Sequence, residues 1–269
     1  MCKKHMSVRT IGLVVLVAIL AGCAIVGNSP LEVLTYTNGT TASRKKLIVF
    51  MRGMGGNHKS FEKEGLVQDI RDRSIPYDMA APSASPSYYL SRTLTTRLKE
   101  DVIDPAKSCG YEEIWLIGFS MGGLGSLLYL KEYPEDIRGV CLIAPFLSYR
   151  GIQREIMAAG GLPSWDPGDY DPETDWQRML WHWLKEHFSD GPMANIHLAY
   201  GKQDPYVDGQ QLLAGVVPKE HIITIAGGHD HATIKNLWTG LLDSGIFINS
   251  MPSATTDEIG IISGKGSDE

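Results

Sequence analysis

Positive charge is scarce in this chain. Lys and Arg together number 25 against 31 Asp and Glu, giving a formal net charge of -6 and an isoelectric point near 5.8. No strongly basic cluster stands outside the N-terminus, which argues against nucleic acid as the main partner. Cysteine is scarce too. Of four in 269 residues, Cys2 and Cys23 lie near the N-terminus, so Cys109 and Cys141 remain for at most one bridge. An oxidising compartment would allow it, yet Cys141 sits inside a run that reads as a core strand, where free buried thiols are common. The apolar run Ile11 to Leu20 is too short to span a bilayer comfortably. There is no internal repeat. The glycine-rich stretch Gly53-Met54-Gly55-Gly56 has neither the Gly-x-x-x-x-Gly-Lys-Ser/Thr form nor the G-x-G-x-x-G spacing of a phosphate-binding loop. What is present is 43% hydrophobic content, enough for one large α/β domain.

The N-terminus reads as a targeting segment. Lys3, Lys4 and Arg9 precede the apolar core, which ends in Leu20-Ala21-Gly22-Cys23. Small residues before a cysteine at that place resemble a bacterial lipoprotein signal. That resemblance implies removal of residues 1–22, lipid attachment at Cys23 and a membrane as partner through the anchor. Ala24, rather than Asp, follows Cys23, which by the same analogy implies sorting to the outer membrane, on its periplasmic side, where a cell has two membranes. An uncleaved anchor and an ordinary secretory signal are the competing readings. Residues 23–45 would form a mature N-terminal segment.

From residue 46 onward, apolar strand-like runs alternate with helical ones. Leu31 to Thr37 reads as a leading strand reaching the turn signal Asn38-Gly39. Lys46 to Met51 is consecutively apolar at Leu47-Ile48-Val49-Phe50, which suits a parallel strand covered on both faces. The spacing predicts a helix over 59–73, a weaker strand over 75–81 and an amphipathic helix over 90–108. Strands are expected at 114–117, 140–144, 196–200 and 221–226, with a last helix from near His231 to Leu242. Such alternation implies a mostly parallel sheet with helices on both faces. One excursion, 146–192, breaks it and carries Trp165, Trp176, Trp181 and Trp183. Asp171-Pro172 looks like an N-cap with proline at the first helical position. Trp176, Leu180, Trp183, Leu184 and His187 then share one helical face. A connection this long suggests a functional cap over the sheet's carboxyl edge, although for any individual tryptophan packing of the cap onto the domain is the better explanation. Residues 250–269 are polar and read as a loose tail.

The strand Ile114-Trp115-Leu116-Ile117 runs into Gly118-Phe119-Ser120-Met121-Gly122 and then a helical run. Strand, G-x-S-x-G, helix is the pattern that lifts a serine above a sheet on a sharp turn, where only glycine fits two residues either side. A serine hydroxyl needs a base to take its proton and a group to orient that base. Later strand exits supply both: Gly201-Lys202-Gln203-Asp204 offers Asp204, with Asp208 as its nearest rival, and Gly227-Gly228-His229 offers His229, with His231 as its rival. Backbone N–H groups of Met121 and, in the loop after the first buried strand, Met54 are the candidate oxyanion donors.

Together Gly53-Met54-Gly55-Gly56, Gly118-Phe119-Ser120-Met121-Gly122, Gly201-Lys202-Gln203-Asp204 and Gly228-His229 resemble the α/β-hydrolase superfamily of serine esterases and lipases. The resemblance implies an α/β-hydrolase fold over residues 46–249, with a helical cap insertion at 146–192. It implies a Ser120–His229–Asp204 triad, an acyl-enzyme released by water, a small-molecule ester substrate, and no metal or organic cofactor. One departure is Arg52, where many members carry a histidine that supports the oxyanion loop; arginine could do the same or face an anionic substrate group. The expected activity is hydrolysis of carboxylic esters in the bacterial cell envelope. An amidase or peptidase, an acyltransferase, and a binding lipoprotein on a retired hydrolase fold are the alternatives.

Overall fold

The computed structural model describes residues 27–38, 45–189 and 195–248; the expected signal segment 1–22, Cys23, Gly39 and the expected tail 250–269 lie outside them. Seven strands among the described residues form one sheet: β1 (Val33–Tyr36), β2 (Lys45–Met51), β3 (Asp78–Pro82), β4 (Tyr111–Phe119), β5 (Gly139–Ile143), β6 (Asn195–Gly201) and β7 (Ile222–Ile225). Their order is β1-β3-β2-β4-β5-β6-β7. β1 runs antiparallel at one edge, and every other pairing is parallel.

The unbroken apolar runs become two cores. Alternate side chains on a strand point to opposite faces. Leu47, Val49, Leu116, Val140, Leu142 and Leu198 therefore face one core, while Ile48, Phe50, Trp115, Ile117, Cys141 and Ile143 face the other. The second core is covered by α1 (Ser60–Lys63), α2 (Leu66–Asp72) and, from the end of the chain, α10 (His231–Asp243). The first is covered by α3 (Pro86–Leu90), α4 (Leu94–Leu98), α5 (Asp104–Ser108), α6 (Met121–Glu132), α7 (Arg150–Ala158), α8 (Trp176–Ser189) and α9 (Val207–Ala214). Cys141 is buried and Cys109 exposed, and both are free thiols. Burial pushes the Cys141 thiol well up from its ordinary pKa.

Several elements differ from the sequence expectation. The helix expected over 59–73 is two helices, because Gly65 between them adopts φ +78. The helix expected over 90–108 starts at Leu94 and passes through a π-type segment, Lys99–Ile103, before α5, while Leu90 ends the separate helix α3. β3 starts at Asp78, not at Ile75, and His221 belongs to a short 3-10 turn ahead of β7. Asp171 does not cap α8. Its carboxylate accepts from the Glu173 N–H and makes a turn, and Asp175 accepts from the Arg178 N–H and caps the helix. Trp165 and Trp181 are fully buried in the first core beside Leu180 and Leu184. Much of the excursion is thus a packing layer, and the Trp181 indole N–H donates to the Ser148 hydroxyl within it.

His197 on β6 sits between the Trp115 ring, 5.8 Å away, and the stacked His221 ring, 4.0 Å away. Burial, with the neighbouring His221 adding to it, pushes its pKa down to about 3. An unfolded histidine takes its proton near pH 6.5, so between these values the unfolded state binds the extra proton. Stability from this site is complete above about pH 6.5 and falls as pH drops towards 3. In urea titrations at pH 7.5 and 5.0, His197→Phe should lose about 1–2 kcal/mol less than the wild type on acidification. Equal losses would show that His197 does not carry the acid sensitivity.

Candidate active site

The site begins with the packing of α6 against the sheet. A Cβ at Gly122 would lie 2.1 Å from the Met51 carbonyl oxygen, and one at Gly118 would lie 2.5 Å from the Gly122 carbonyl oxygen. A Cβ at Gly123 would meet the Pro145 side chain at 2.7 Å. Without side chains at these positions, α6 can start directly over the ends of β2 and β5. Ser120 makes the turn between β4 and α6 with φ 51 and ψ -116. Positive φ at a non-glycine residue costs on the order of 1–3 kcal/mol and persists only where the surroundings over-determine it. Here they do: the Ser120 N–H donates to the Ile143 carbonyl (3.0 Å), and its own carbonyl accepts from the N–H groups of Gly123 (2.9 Å) and Phe146 (3.0 Å).

The two loops beyond β6 and β7 bring the other groups to this serine. The Lys202 N–H donates to the Ile225 carbonyl and the Gln203 N–H to the Gly227 carbonyl, each at 2.9 Å. The Gln203 side-chain oxygen accepts the Gly227 N–H in return. Asp204 follows, its side chain sealed from solvent. One carboxylate oxygen accepts the Tyr206 N–H at 2.8 Å, and the other lies 2.8 Å from His229 Nδ1. His229 Nε2 lies 3.0 Å from Ser120 Oγ. Since Asp204 is already an acceptor, this arrangement puts the imidazole proton on Nδ1 and turns the Nε2 lone pair towards the serine hydroxyl. The Tyr206 ring stands edge-on to the imidazole at 5.1 Å and limits its rotation. Beyond His229, Asp230 caps α10 by accepting the Thr233 N–H and hydroxyl; these bonds hold its carboxyl below the ordinary range.

The competing candidates lie elsewhere. His231 is exposed, with its ring 3.5 Å from the Glu64 carboxylate, and Asp208 lies in the first turn of α9. Met121 opens α6 immediately after the serine. The loop after β2 passes close by: a Cβ at Gly53 would lie 3.2 Å from Ser120 Cβ. Met54 comes next, its side chain largely exposed and so not part of the core. Sequence reasoning missed Gln203, Tyr206 and Phe146. Phe146, Tyr149, Trp176 and Tyr206 form an aromatic group, with ring centroids 5.3 to 6.4 Å apart, that reaches the His229 ring through Tyr206. A cleft of about 230 Å³ opens between Phe146, Tyr149, Arg150, Gln153, Pro205 and Tyr206. No group of three or more metal-ligating side chains occurs among the described residues.

Comparison with known proteins agrees with this architecture. The family described as alpha/beta hydrolase fold matches residues 46–169. A proline iminopeptidase from Clostridium botulinum is 31% identical over 108 residues, which are 38% of this chain and 36% of that protein. The chain therefore spans about a third of the length of the curated relative it matches. Among solved structures, S-formylglutathione hydrolase (FrmB) from Staphylococcus aureus superposes with a TM-score of 0.56 at 12% identity, covering 80% of this chain and 90% of that one. Est1E from Butyrivibrio proteoclasticus gives 0.54 at 19% identity over 80% and 94%. A ferulic acid esterase gives 0.56 at 16% identity over 82% and 100%. At these identities the likeness is one of fold, and the fold is that of the α/β-hydrolases.

The close approach of α6 to the sheet makes a direct prediction. Gly122→Ala should destabilise the protein by about 2–3 kcal/mol or more, because the clash is with backbone. Gly55→Ala, with nothing within 4 Å of the added Cβ, should stay within about 0.5 kcal/mol of the wild type. Urea midpoints of the two variants test this; equal shifts would contradict the close approach of α6.

Proposed function

We propose that this protein is a serine hydrolase of carboxylic esters, held in the bacterial cell envelope by lipid on Cys23. The observation that carries the reading is the continuous chain Ser120 Oγ–His229–Asp204, at 3.0 and 2.8 Å, with the serine on a strained turn. In the first half-reaction Ser120 Oγ attacks the ester carbonyl while His229 Nε2 takes its proton. Asp204 keeps the imidazole oriented and balances its charge. The negative charge that develops on the carbonyl oxygen is held by the Met121 and Met54 N–H groups. Collapse of the tetrahedral intermediate breaks the bond to the alcohol oxygen, which leaves with the proton from His229. Water then attacks the acyl-serine with His229 again as base, releasing the acid and restoring Ser120. The aromatic group around Phe146 suits an apolar or aromatic part of the substrate. No step calls for a metal or an organic cofactor.

Amide cleavage is the second reading, because the matched relative is named a peptidase. 4-Nitrophenyl esters set against 4-nitroanilides, prolyl anilide included, separate the two. The ester reading expects esters to turn over and anilides to be poor substrates. It also expects Ser120→Ala and His229→Ala to lower kcat by about a thousandfold or more. Preferential anilide turnover would replace it with the peptidase reading, and a folded protein inert to both would sink it. Anchoring has its own test: Cys23→Ser should move the protein from the membrane fraction to the soluble one. Retention in the membrane would contradict the lipid anchor.

A further inference from the structure

Arg52 follows the last residue of β2 and stands one residue before the glycine that abuts Ser120. Its Nε is buried and has no hydrogen-bond partner among the described residues. The side chain as a whole is only partly buried. Among the described residues no carboxylate acts on it, and its electrostatic neighbour is the Tyr89 phenol. That phenol donates to the Met121 carbonyl at 3.1 Å, so the guanidinium and the nucleophile turn share a neighbour. Burial drives the Tyr89 pKa far up, so the phenol stays neutral and supplies no counter-charge. Burial likewise draws the Arg52 pKa below its ordinary value.

Leaving a guanidinium nitrogen buried without a partner is costly, and a protein rarely retains that cost beside a reaction centre without use. An arginine that merely propped the oxyanion loop would donate to the loop's carbonyls, and the buried Nε of Arg52 has no such bond among the described residues. An arginine waiting for an anion would look as this one does: inner nitrogen sealed, no protein acceptor, side chain still partly open. Guanidinium is also the group that best matches a planar carboxylate.

We propose that Arg52 is the binding subsite for a carboxylate carried by the substrate, so that the preferred esters are half-esters of dicarboxylic acids. This rests on the serine-hydrolase reading above. The carboxylate pairs with the guanidinium while the ester carbonyl a few bonds away meets Ser120.

Two acyl groups of equal length test it. 4-Nitrophenyl hydrogen glutarate carries the carboxylate, and 4-nitrophenyl pentanoate ends in a methyl group. The Ser120→Ala protein serves as the blank for spontaneous hydrolysis. The full-length wild type should favour the glutarate in kcat/KM by tenfold or more. Arg52→Gln should reduce the glutarate-to-pentanoate ratio at least tenfold, chiefly through KM, and Arg52→Lys should restore part of it. A wild type that favours the pentanoate, or a ratio unchanged in Arg52→Gln, would overturn the proposal. So would a ratio that falls as far in Arg150→Ala, because the selectivity would then be a general charge effect at the cleft. A binding measurement separates this from the hydrolase reading. By calorimetry, monomethyl glutarate should bind the Ser120→Ala protein and bind at least tenfold more weakly once Arg52→Gln is added. Binding lost in this way from a protein that hydrolyses neither ester would keep the subsite and discard the hydrolase reading. Absence of binding would discard the subsite.

Discussion

The site depends on how closely α6 approaches the sheet. Met51, Gly118, Gly122, Gly123 and Pro145 meet there at distances that admit no side chain on the three glycines. That contact forces the chain to turn at Ser120 in a conformation other residues avoid, and the bond from the Ser120 N–H to Ile143 ties the turn to the neighbouring strand. The parallel sheet is buried on both faces and makes the contact rigid. The strain is local, and two packed cores hold it in place.

The same logic applies to the other two groups. Asp204 and His229 sit on separate loops, yet the loops act as one because backbone bonds join residues 202 and 203 to residues 225 and 227. Tyr206 does two things within this pair: its N–H occupies one oxygen of Asp204, and its ring stands against His229. The imidazole is thereby held on both its acidic and its open side. Contacts of this kind hold the Ser120 hydroxyl, the His229 ring and the Asp204 carboxylate in register.

The sheet was legible in the sequence because its strands are buried on both faces. Runs such as Leu47-Ile48-Val49-Phe50 and Val140-Cys141-Leu142-Ile143 leave no polar face and cannot be mistaken for surface strands. The positions of Ser120, Asp204 and His229 at strand exits were legible for the same reason, since strand ends fix where loops begin. Helix boundaries were less so. The break at Gly65 had a visible glycine, but a lone glycine inside a helical pattern is often tolerated. At α8, Asp171 and Asp175 offer equal capping chemistry, and the choice is made by Arg178 through its N–H and its guanidinium bond to Asp175. Trp181 was absent from the expected helical face because the fully buried stripe of α8, formed by Leu180, Trp181 and Leu184, is rotated from that face. Gln203, Tyr206 and Phe146 carry no local signal; each matters through a partner distant in sequence.

The central claim is that the environment of Ser120 activates it. The most direct measurement treats the full chain, solubilised in detergent, with a fluorophosphonate and maps the adduct by peptide mass. The account predicts phosphonylation at Ser120 that disappears in Ser120→Ala and is nearly abolished in His229→Ala. A folded protein that takes up no label, or takes it up elsewhere, would contradict it.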